Sequence, residues 1–131
     1  MINIFNDLYT LFVSALAQHD PAIQTDGVHV NKPSTYPFAS LEEIDNGVYE
    51  ATSDSCNIEN HADIHFEVNI YTKGSTRKSK GDGIAQAVDN FFNSKGFVRQ
   101  TKNVFQGDSE TYQIIIRYRG IVSKDEVVYR R

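Results

Sequence analysis

The sequence predicts an α+β fold in which two helices pack on one face of a mainly antiparallel, four- to five-stranded sheet. One long stretch, residues 62–72, alternates apolar and polar side chains, as a half-buried strand does. Two other stretches repeat apolar residues at the spacings of amphipathic helices. The strand-like runs are neighbours in sequence, which favours antiparallel pairing, and the predicted order is α-β-β-α-β-β.

The strand at 62–72 organises the predicted fold because it has one apolar side and one polar side. Its core-facing side chains are Ala62, Ile64, Phe66, Val68 and Ile70, and its solvent-facing side chains are Asp63, His65, Glu67, Asn69 and Tyr71. The β-branched and aromatic residues on the apolar side suit a pleated, half-buried surface. A strand of this length is typical of the centre of a sheet.

The other elements follow from periodicity and from residues that end helices and strands. The first half contains a helix over 4–18 with Asn3 as its N-cap, and a strand over 38–44 entered through Tyr36–Pro37. The second half contains a helix from Ser79 or Asp82 to Lys95, with Gly96 at C′, and a hairpin formed by 97–105 and 111–121.

The connecting segments are predicted to be irregular. They are 21–35 with a short extended piece at 28–30, a loop or loose hairpin arm over 45–60, an exposed and mobile basic linker over 73–81, and a tail over 127–131 that either adds a short strand or stays mobile. None of them contains an internal repeat.

Length and composition describe one ordinary domain, assigned to residues 1–131. The chain is 40% hydrophobic and carries a net charge of −4, so it lacks the basic signature of a nucleic-acid-binding protein. Its single cysteine, Cys56, excludes an internal disulfide. No apolar run is long enough to span a membrane, and the N-terminal pattern is not that of a signal peptide, so we expect a protein made and kept in the cytoplasm, or assembled there.

The polar side of the organising strand offers the sharpest chemical possibility, a metal site. His61, Asp63, His65 and Glu67 share one face, and imidazole with carboxylate ligands can hold a divalent ion. However, successive side chains on one face of a strand lie nearly 7 Å apart, so four of them seldom converge on one ion. A solvated or partner-facing surface is the favoured interpretation, and the metal site stays as an alternative.

Three further patterns fall short of an enzyme site. The linker 73–81 lacks the order of glycines and lysine found in phosphate-binding loops, and the aspartate in Gly81-Asp82-Gly83 would compete with a phosphate. Cys56 has no close basic neighbour in sequence, and the acidic segment 42–45 has no evident acid–base partner. The sequence therefore predicts no enzyme activity and no cofactor, while weak contact of the linker with nucleic acid stays open.

Four short motifs in a fixed order carry a family resemblance over residues 2–121. They are the N-terminal amphipathic helix, the strand Tyr36-Pro37-Phe38-Ala39-Ser40-Leu41-Glu42-Glu43, the strand from Asn60 to Tyr71 containing Phe66-Glu67-Val68, and the second helix leading into Gly96-Phe97-x-Arg99 and then Ile116-Arg117-Tyr118-Arg119-Gly120. In this order the chain resembles the tail terminator, or tail-completion, proteins of long-tailed bacteriophages and prophages.

The resemblance implies a non-enzymatic virion assembly protein without a cofactor. Such proteins form a homohexameric ring that caps the completed tail tube and joins it to the head connector. The implied partners are further copies of the chain, the major tail tube protein and the head–tail connector protein, and DNA only passes through the ring. The implied location is the virion tail, after assembly in the host cytoplasm.

A closed ring of head-to-tail copies needs two different complementary patches on each copy. The candidate interface residues are Asp63, His65, Glu67, Arg99, Arg117 and Arg119. Alternatives are a head-closure or connector component of the same virion, a ferredoxin-like nucleic-acid-binding module that would use Tyr71 as an exposed aromatic, and a small metalloenzyme.

Overall fold

The computed structural model of the chain describes residues 2–28, 33, 35–48, 61–106 and 110–123, which form two helices and one mixed five-stranded sheet. The α+β class predicted from sequence is therefore confirmed. The elements are α1 (Phe5–His19), β1 (Gln24–Asp26), β2 (Phe38–Val48), β3 (His61–Lys73), α2 (Arg77–Ser94), β4 (Val98–Gln106) and β5 (Thr111–Ser123).

The sheet has the strand order β1-β2-β3-β5-β4. β1 pairs with β2 in parallel, and the other three pairings are antiparallel. β3, which contains the organising stretch 62–72, lies at the centre, as its length predicts. β5 lies between β3 and β4, so β1 and β4 are the two edge strands.

Both helices cover the same face of the sheet, because one side chain of β3 contacts both of them. The ring of Phe66, which is fully buried, has its centroid 6.4 Å from that of Phe5 in α1 and 6.2 Å from that of Phe92 in α2. The two helices also meet through Phe12 and Phe92, whose ring centroids are 6.2 Å apart. The predicted placement of the helices on one face is confirmed.

An aromatic contact joins α2 to the closing strand. The rings of Phe92 and Tyr118 are stacked, with centroids 4.2 Å apart and an interplanar angle of 11°. The Tyr118 hydroxyl donates a hydrogen bond to Asp89 Oδ1 at 2.9 Å. Burial, and then this bond to a carboxylate, raise the pKa of Tyr118 far above its usual value, so the phenol stays protonated.

Of the two helix-end residues predicted from the sequence, Gly96 is confirmed, whereas Asn3 as the N-cap is wrong because the N-cap residue is Ile4. Asn3 does not occupy the N-cap position itself, but its Oδ1 accepts a hydrogen bond from the Phe5 backbone N–H at 3.2 Å. Gly96 has a φ of 88° at the end of α2, where a left-handed residue allows the Phe97 N–H to bond the Phe92 carbonyl at 3.0 Å. Gly96 is thus at C′, as predicted.

The first strand differs from the sequence prediction. The extended piece is Gln24–Asp26 rather than 28–30; Val28 lies in a bend, and residues 29 and 30 are outside the described residues. It pairs with Phe38–Ser40, and the element order is therefore α-β-β-β-α-β-β. Three polar residues carry no hydrophobic period, so the sequence pattern could not reveal this strand.

The second strand is longer than predicted. Residues 45–48 were expected to begin a loop, but β2 continues to Val48 beyond a β-bulge between Glu43 and Asp45. A bulge inserts one unpaired residue and so breaks the alternation by which a strand is recognised. The rest of that predicted loop, residues 49–60, lies outside the described residues.

The predicted linker over 73–81 is only a turn. α2 begins at Arg77, and residues 74–76 connect it to β3. Thr72 Oγ1 donates to the Arg77 carbonyl at 2.7 Å, and Arg77 Nη1 donates to the Gly74 carbonyl at 2.9 Å. The first helical turn extends past the core, so it needs no apolar residues to form.

The remaining expectations are partly covered by the described residues. β4 and β5 pair antiparallel, as the predicted hairpin requires, while residues 107–109 between them and the predicted tail 127–131 lie outside the described residues. In the described part of the chain, neither helix has the length and apolar character that crossing a membrane requires.

Candidate functional site

The candidate site lies on the outer face of the sheet, which we define as the face opposite the helices. Since Phe66 points to the helices, the alternating residues Asp63, His65 and Glu67 point outward. The register places His65 across from Arg119 and Glu67 across from Arg117. Five of the six predicted interface residues therefore lie together on this face.

The tightest contact on the outer face is the ion pair of Asp63 with Arg119. Arg119 Nε lies 2.8 Å from Asp63 Oδ1, and Arg119 Nη2 lies 2.7 Å from Oδ2. His65 Nε2 is 3.3 Å from the same Oδ1. Two parallel hydrogen bonds fix the plane of the guanidinium against the carboxylate, which one bond would not do.

A second ion pair, between Glu67 and Arg117, is hydrogen-bonded to a row of neutral polar side chains along β3. Glu67 accepts a hydrogen bond from Arg117 Nε at 2.9 Å and another from Asn69 Nδ2 at 3.1 Å. Gln113 Nε2 donates to Asn69 Oδ1 at 3.2 Å and to the Tyr71 hydroxyl at 3.0 Å. We call this set the outer-face network; it comprises Asp63, His65, Glu67, Asn69, Tyr71, Gln113, Arg117 and Arg119.

The prediction that Asn69 and Tyr71 face solvent is wrong, because both side chains are buried, at 0% and 4% exposed. Neighbouring outer-face side chains cover them, including Gln113, which no sequence pattern identified. Burial raises the pKa of the Tyr71 hydroxyl. Tyr71 is therefore not the exposed aromatic that a stacking surface for nucleic-acid bases needs.

Arg99 is separated from the other five predicted interface residues. It is paired in register with Tyr118, whose ring packs against α2, so Arg99 lies on the helix face of the edge strand β4. Its Nη1 is 3.5 Å from Asp89 Oδ1, and its side chain is 51% exposed. The structure places this arginine at the sheet edge rather than in the outer-face network.

The acidic segment of β2 is divided between the two faces. Glu42 lies across from Glu67, and Asp45 lies across from His65, so both point outward. Glu43 lies across from Phe66 on the helix face, where burial raises the pKa of its carboxyl group, while a bond from Asn46 partly offsets the shift. These residues thus do not form the single carboxylate group that their sequence spacing suggests.

The alternative of a metal site gains no support from the outer face. Within the described ranges, no group of three or more His, Cys, Asp or Glu side chains is placed to hold a metal ion. Both carboxylate oxygens of Asp63 already accept hydrogen bonds from Arg119, and that guanidinium would repel a bound cation. Cys56 lies outside the described residues.

No protein-family model and no curated protein sequence matches the chain. The resemblance to tail terminator proteins is therefore a hypothesis, and the geometry of the outer face is the structural observation that bears on it.

Proposed function

We propose that the chain is a non-enzymatic virion assembly protein that caps a completed tail tube as an oligomeric ring and joins it to the head connector. The observation that supports this most directly concerns two of the resemblance motifs. Glu67 belongs to the strand motif from Asn60 to Tyr71, and Arg117 belongs to the closing motif that ends at Gly120. The two residues are 50 apart in sequence, yet they form an ion pair on one exposed face. A charged residue from each of these two motifs thus lies on the same surface of the sheet.

The chemistry of this surface suits protein docking better than catalysis. The carboxylates of Asp63 and Glu67 are engaged by arginines, so neither is placed as a free acid or base. Arg117 uses its Nε in this pair, and its side chain is 55% exposed, which leaves guanidinium donors directed to solvent. Arginines of this kind are enriched in protein–protein interfaces.

A ring that surrounds DNA also needs a surface to which phosphates do not adhere. Phosphate contacts follow the density of lysine and arginine, and this chain carries a net charge of −4. On the outer face, both arginines of the network are already balanced by carboxylates. Passage of DNA without tight binding is compatible with this balance.

The test is the assembly state of the purified protein. We expect size-exclusion chromatography with light scattering to give a mass of about six copies, and negative-stain images to show rings with a central opening, since identical head-to-tail contacts close into rings. Added tail tubes of a long-tailed phage should end in such rings. A monomer that binds zinc or RNA would instead support a small metalloenzyme or a nucleic-acid-binding module.

A ring alone does not separate tail completion from the head-closure alternative. Rings that bind the connector but leave the ends of tail tubes bare would indicate a head-closure component. Rings at the tube ends support the terminator function.

A further inference from the structure

Charge is segregated across the sheet, from one edge to the other. Among the described strands, β1 and β2 carry four carboxylates and no lysine or arginine, whereas β4 and β5 carry four cations and no carboxylate. The carboxylates are Asp26, Glu42, Glu43 and Asp45, and the cations are Arg99, Lys102, Arg117 and Arg119. Because β1–β2 and β4–β5 lie on opposite sides of β3, the acidic and basic strands are at opposite edges of the sheet. Arg117 and Arg119 on β5 are paired with carboxylates of β3, so the cations of the basic edge itself are Arg99 and Lys102 on β4.

The exposed apolar side chains are concentrated at the same two edges. The described large hydrophobic residues with substantial exposure are Val98, Val104 and Phe105 on β4, Ile44 at the bulge of β2, Val28 just after β1, and Leu11 on α1. All of these except Leu11 lie at a sheet edge. Interfaces typically combine apolar side chains with charges around them, and each edge has both.

The β4 edge is also unusual in its length and exposure. All nine residues of β4 are exposed, and among the described strands it pairs only with β5. An edge strand presents unpaired backbone donors and acceptors along its open side, and such a side can accept another strand. Within the described part of the chain, the surface is thus open in its backbone as well as in its side chains.

We propose that the basic β4 edge of one copy contacts the acidic β1–β2 edge of a second copy of the same chain. The two edges are opposite in charge, and each supplies exposed apolar side chains for the centre of the contact. This inference deepens the proposed function by naming the surfaces that join neighbouring copies, and leaves the outer-face network for the tail tube or connector. A contact between two different edges repeats from copy to copy and so builds a ring or a filament.

The alternative of two identical edges pairing is disfavoured by charge. Two β4 strands side by side would bring the Arg99 and Lys102 side chains of both copies together, and like charges repel. Lysine on an exposed edge strand is a common device against such pairing. Two acidic edges repel each other for the same reason, so the favoured contact is between the acidic edge of one copy and the basic edge of another.

Charge reversal at one exposed residue on each edge tests the proposal. Asp45 and Lys102 are exposed, and neither forms an ion pair with another described residue. We expect Lys102→Glu alone and Asp45→Lys alone each to weaken the self-association constant about tenfold in sedimentation velocity at low salt, because each replaces attraction by repulsion. Lys78→Glu, an equal charge change on the exposed start of α2, should leave association unchanged.

An equimolar mixture of the two reversed variants makes the decisive comparison. In alternating order, the β4 edge that carries Lys102→Glu adjoins the β1–β2 edge that carries Asp45→Lys, and the next junction has the native charges. The mixture should therefore form assemblies as large as those of the wild type, although each variant alone does not. Circular dichroism melting of each variant checks that it is folded, and Lys102→Gln and Asp45→Asn provide weaker versions if a reversal unfolds the chain.

Each outcome decides the proposal. A wild-type protein that stays monomeric, assemblies that tolerate both reversals, or a mixture that fails to recover would overturn it. Asp45→Lys assemblies equal to the wild type, with Lys102→Glu association equal to the wild type or tighter, would indicate pairing of two β4 edges instead, because that reversal removes like-charge repulsion between the two copies. Charge-sensitive rings that do not cap tail tubes would uphold the edge contact and refute the proposed function, whereas capping rings that tolerate both reversals would do the opposite.

Discussion

Arg119 holds Asp63 diagonally across two strands rather than directly opposite. The residue opposite Arg119 in register is His65, and Asp63 is two residues further along β3 on the same face. Arg119 spans this offset with Nε and Nη2 at 2.8 and 2.7 Å from the two carboxylate oxygens. Arg117, by contrast, makes a single bond to the residue directly across from it, Glu67.

The two ion pairs should differ in the stability they contribute. We expect a double-mutant cycle on Asp63 and Arg119 to give a coupling of about 1 kcal/mol, and one on Glu67 and Arg117 about 0.3 kcal/mol, because the first pair is bidentate and its arginine is less exposed. Urea titration of the free energy of unfolding measures both. Equal couplings would mean that the second hydrogen bond of Arg119 adds nothing.

Glu67→Ala and Arg117→Ala should separate assembly from stability. The Arg117 side chain of this pair is largely exposed to solvent, so we expect each variant to lose less than about 1 kcal/mol of unfolding free energy. If the outer face docks against a tail component, an unpaired charge left in that interface is costly, and tail completion should fail. The measurement is the yield of complete particles when each variant is supplied to a phage lacking its own copy. Normal yield from both variants would place the docking surface elsewhere.

Truncating the aromatic core should be far more costly than truncating an exposed aromatic. Phe66→Ala and Phe91→Ala should each lose about 3–5 kcal/mol, since these side chains are 0% and 8% exposed in the hydrophobic core. Phe105→Ala, at 48% exposure on β4, is the matched control and should change stability by about 0.5 kcal/mol or less. Denaturant titration gives all three values, and a loss below about 1 kcal/mol at Phe66 would contradict its place in the core.

Glu43→Gln should change how stability depends on pH. Burial raises the pKa of Glu43 above its ordinary value of 4.5, so the folded chain keeps this proton to a higher pH than the unfolded chain. The stability gained by this group is fully present below pH 4.5 and is lost as the pH rises through the folded pKa. Since glutamine cannot ionise, the variant should gain stability relative to the wild type as the pH rises from 4.5 towards neutrality. Urea titrations across this range that gave parallel curves would contradict the assignment.

Alanine substitutions at two strand glycines should have contrasting effects on stability. A Cβ on Gly120 would lie 2.4 Å from Cδ1 of the buried Phe97 ring, so Gly120→Ala should cost about 1–3 kcal/mol as the ring is displaced. A Cβ on Gly47 would meet nothing within 4 Å, so Gly47→Ala should be neutral or stabilise by up to about 1 kcal/mol. Thermal melting of both variants measures the contrast. Similar melting temperatures would mean that Phe97 moves aside without loss.

Sequence alternation predicted the central strand well because one physical rule governs it. With Phe66 on the apolar side, the outward direction of Asp63, His65 and Glu67 follows from backbone geometry alone. The structure places Arg117 and Arg119 beside Glu67 and Asp63, as the register and the bond distances show. Alternation assigns a side chain to a face, however, and does not say what covers it.

The failures have equally local causes. Asn69 was expected to be exposed to solvent, but Gln113 donates a hydrogen bond to its amide oxygen. The two residues are 44 apart in sequence, so no local pattern can predict this contact. The bulge beside Ile44 interrupts the alternation of β2, so the end of this strand was predicted to be a loop. The cations of residues 77–80 resembled a linker because the first turn of α2 contains no apolar residue, although lysine and arginine are good helix formers.

The position of β5 between β3 and β4 fixes the sequence of events as the protein is made. β4 leaves the ribosome before β5, yet its pairing partner in the sheet is β5, so β4 has nowhere to dock until residues 111–123 have emerged. Until then the chain is a half-sheet of β1, β2 and β3 with one side of the central strand bare. The basic edge is therefore the last part of the fold to come into existence. If copies join through this edge as proposed, a nascent chain lacks the joining surface until β5 has paired with β4.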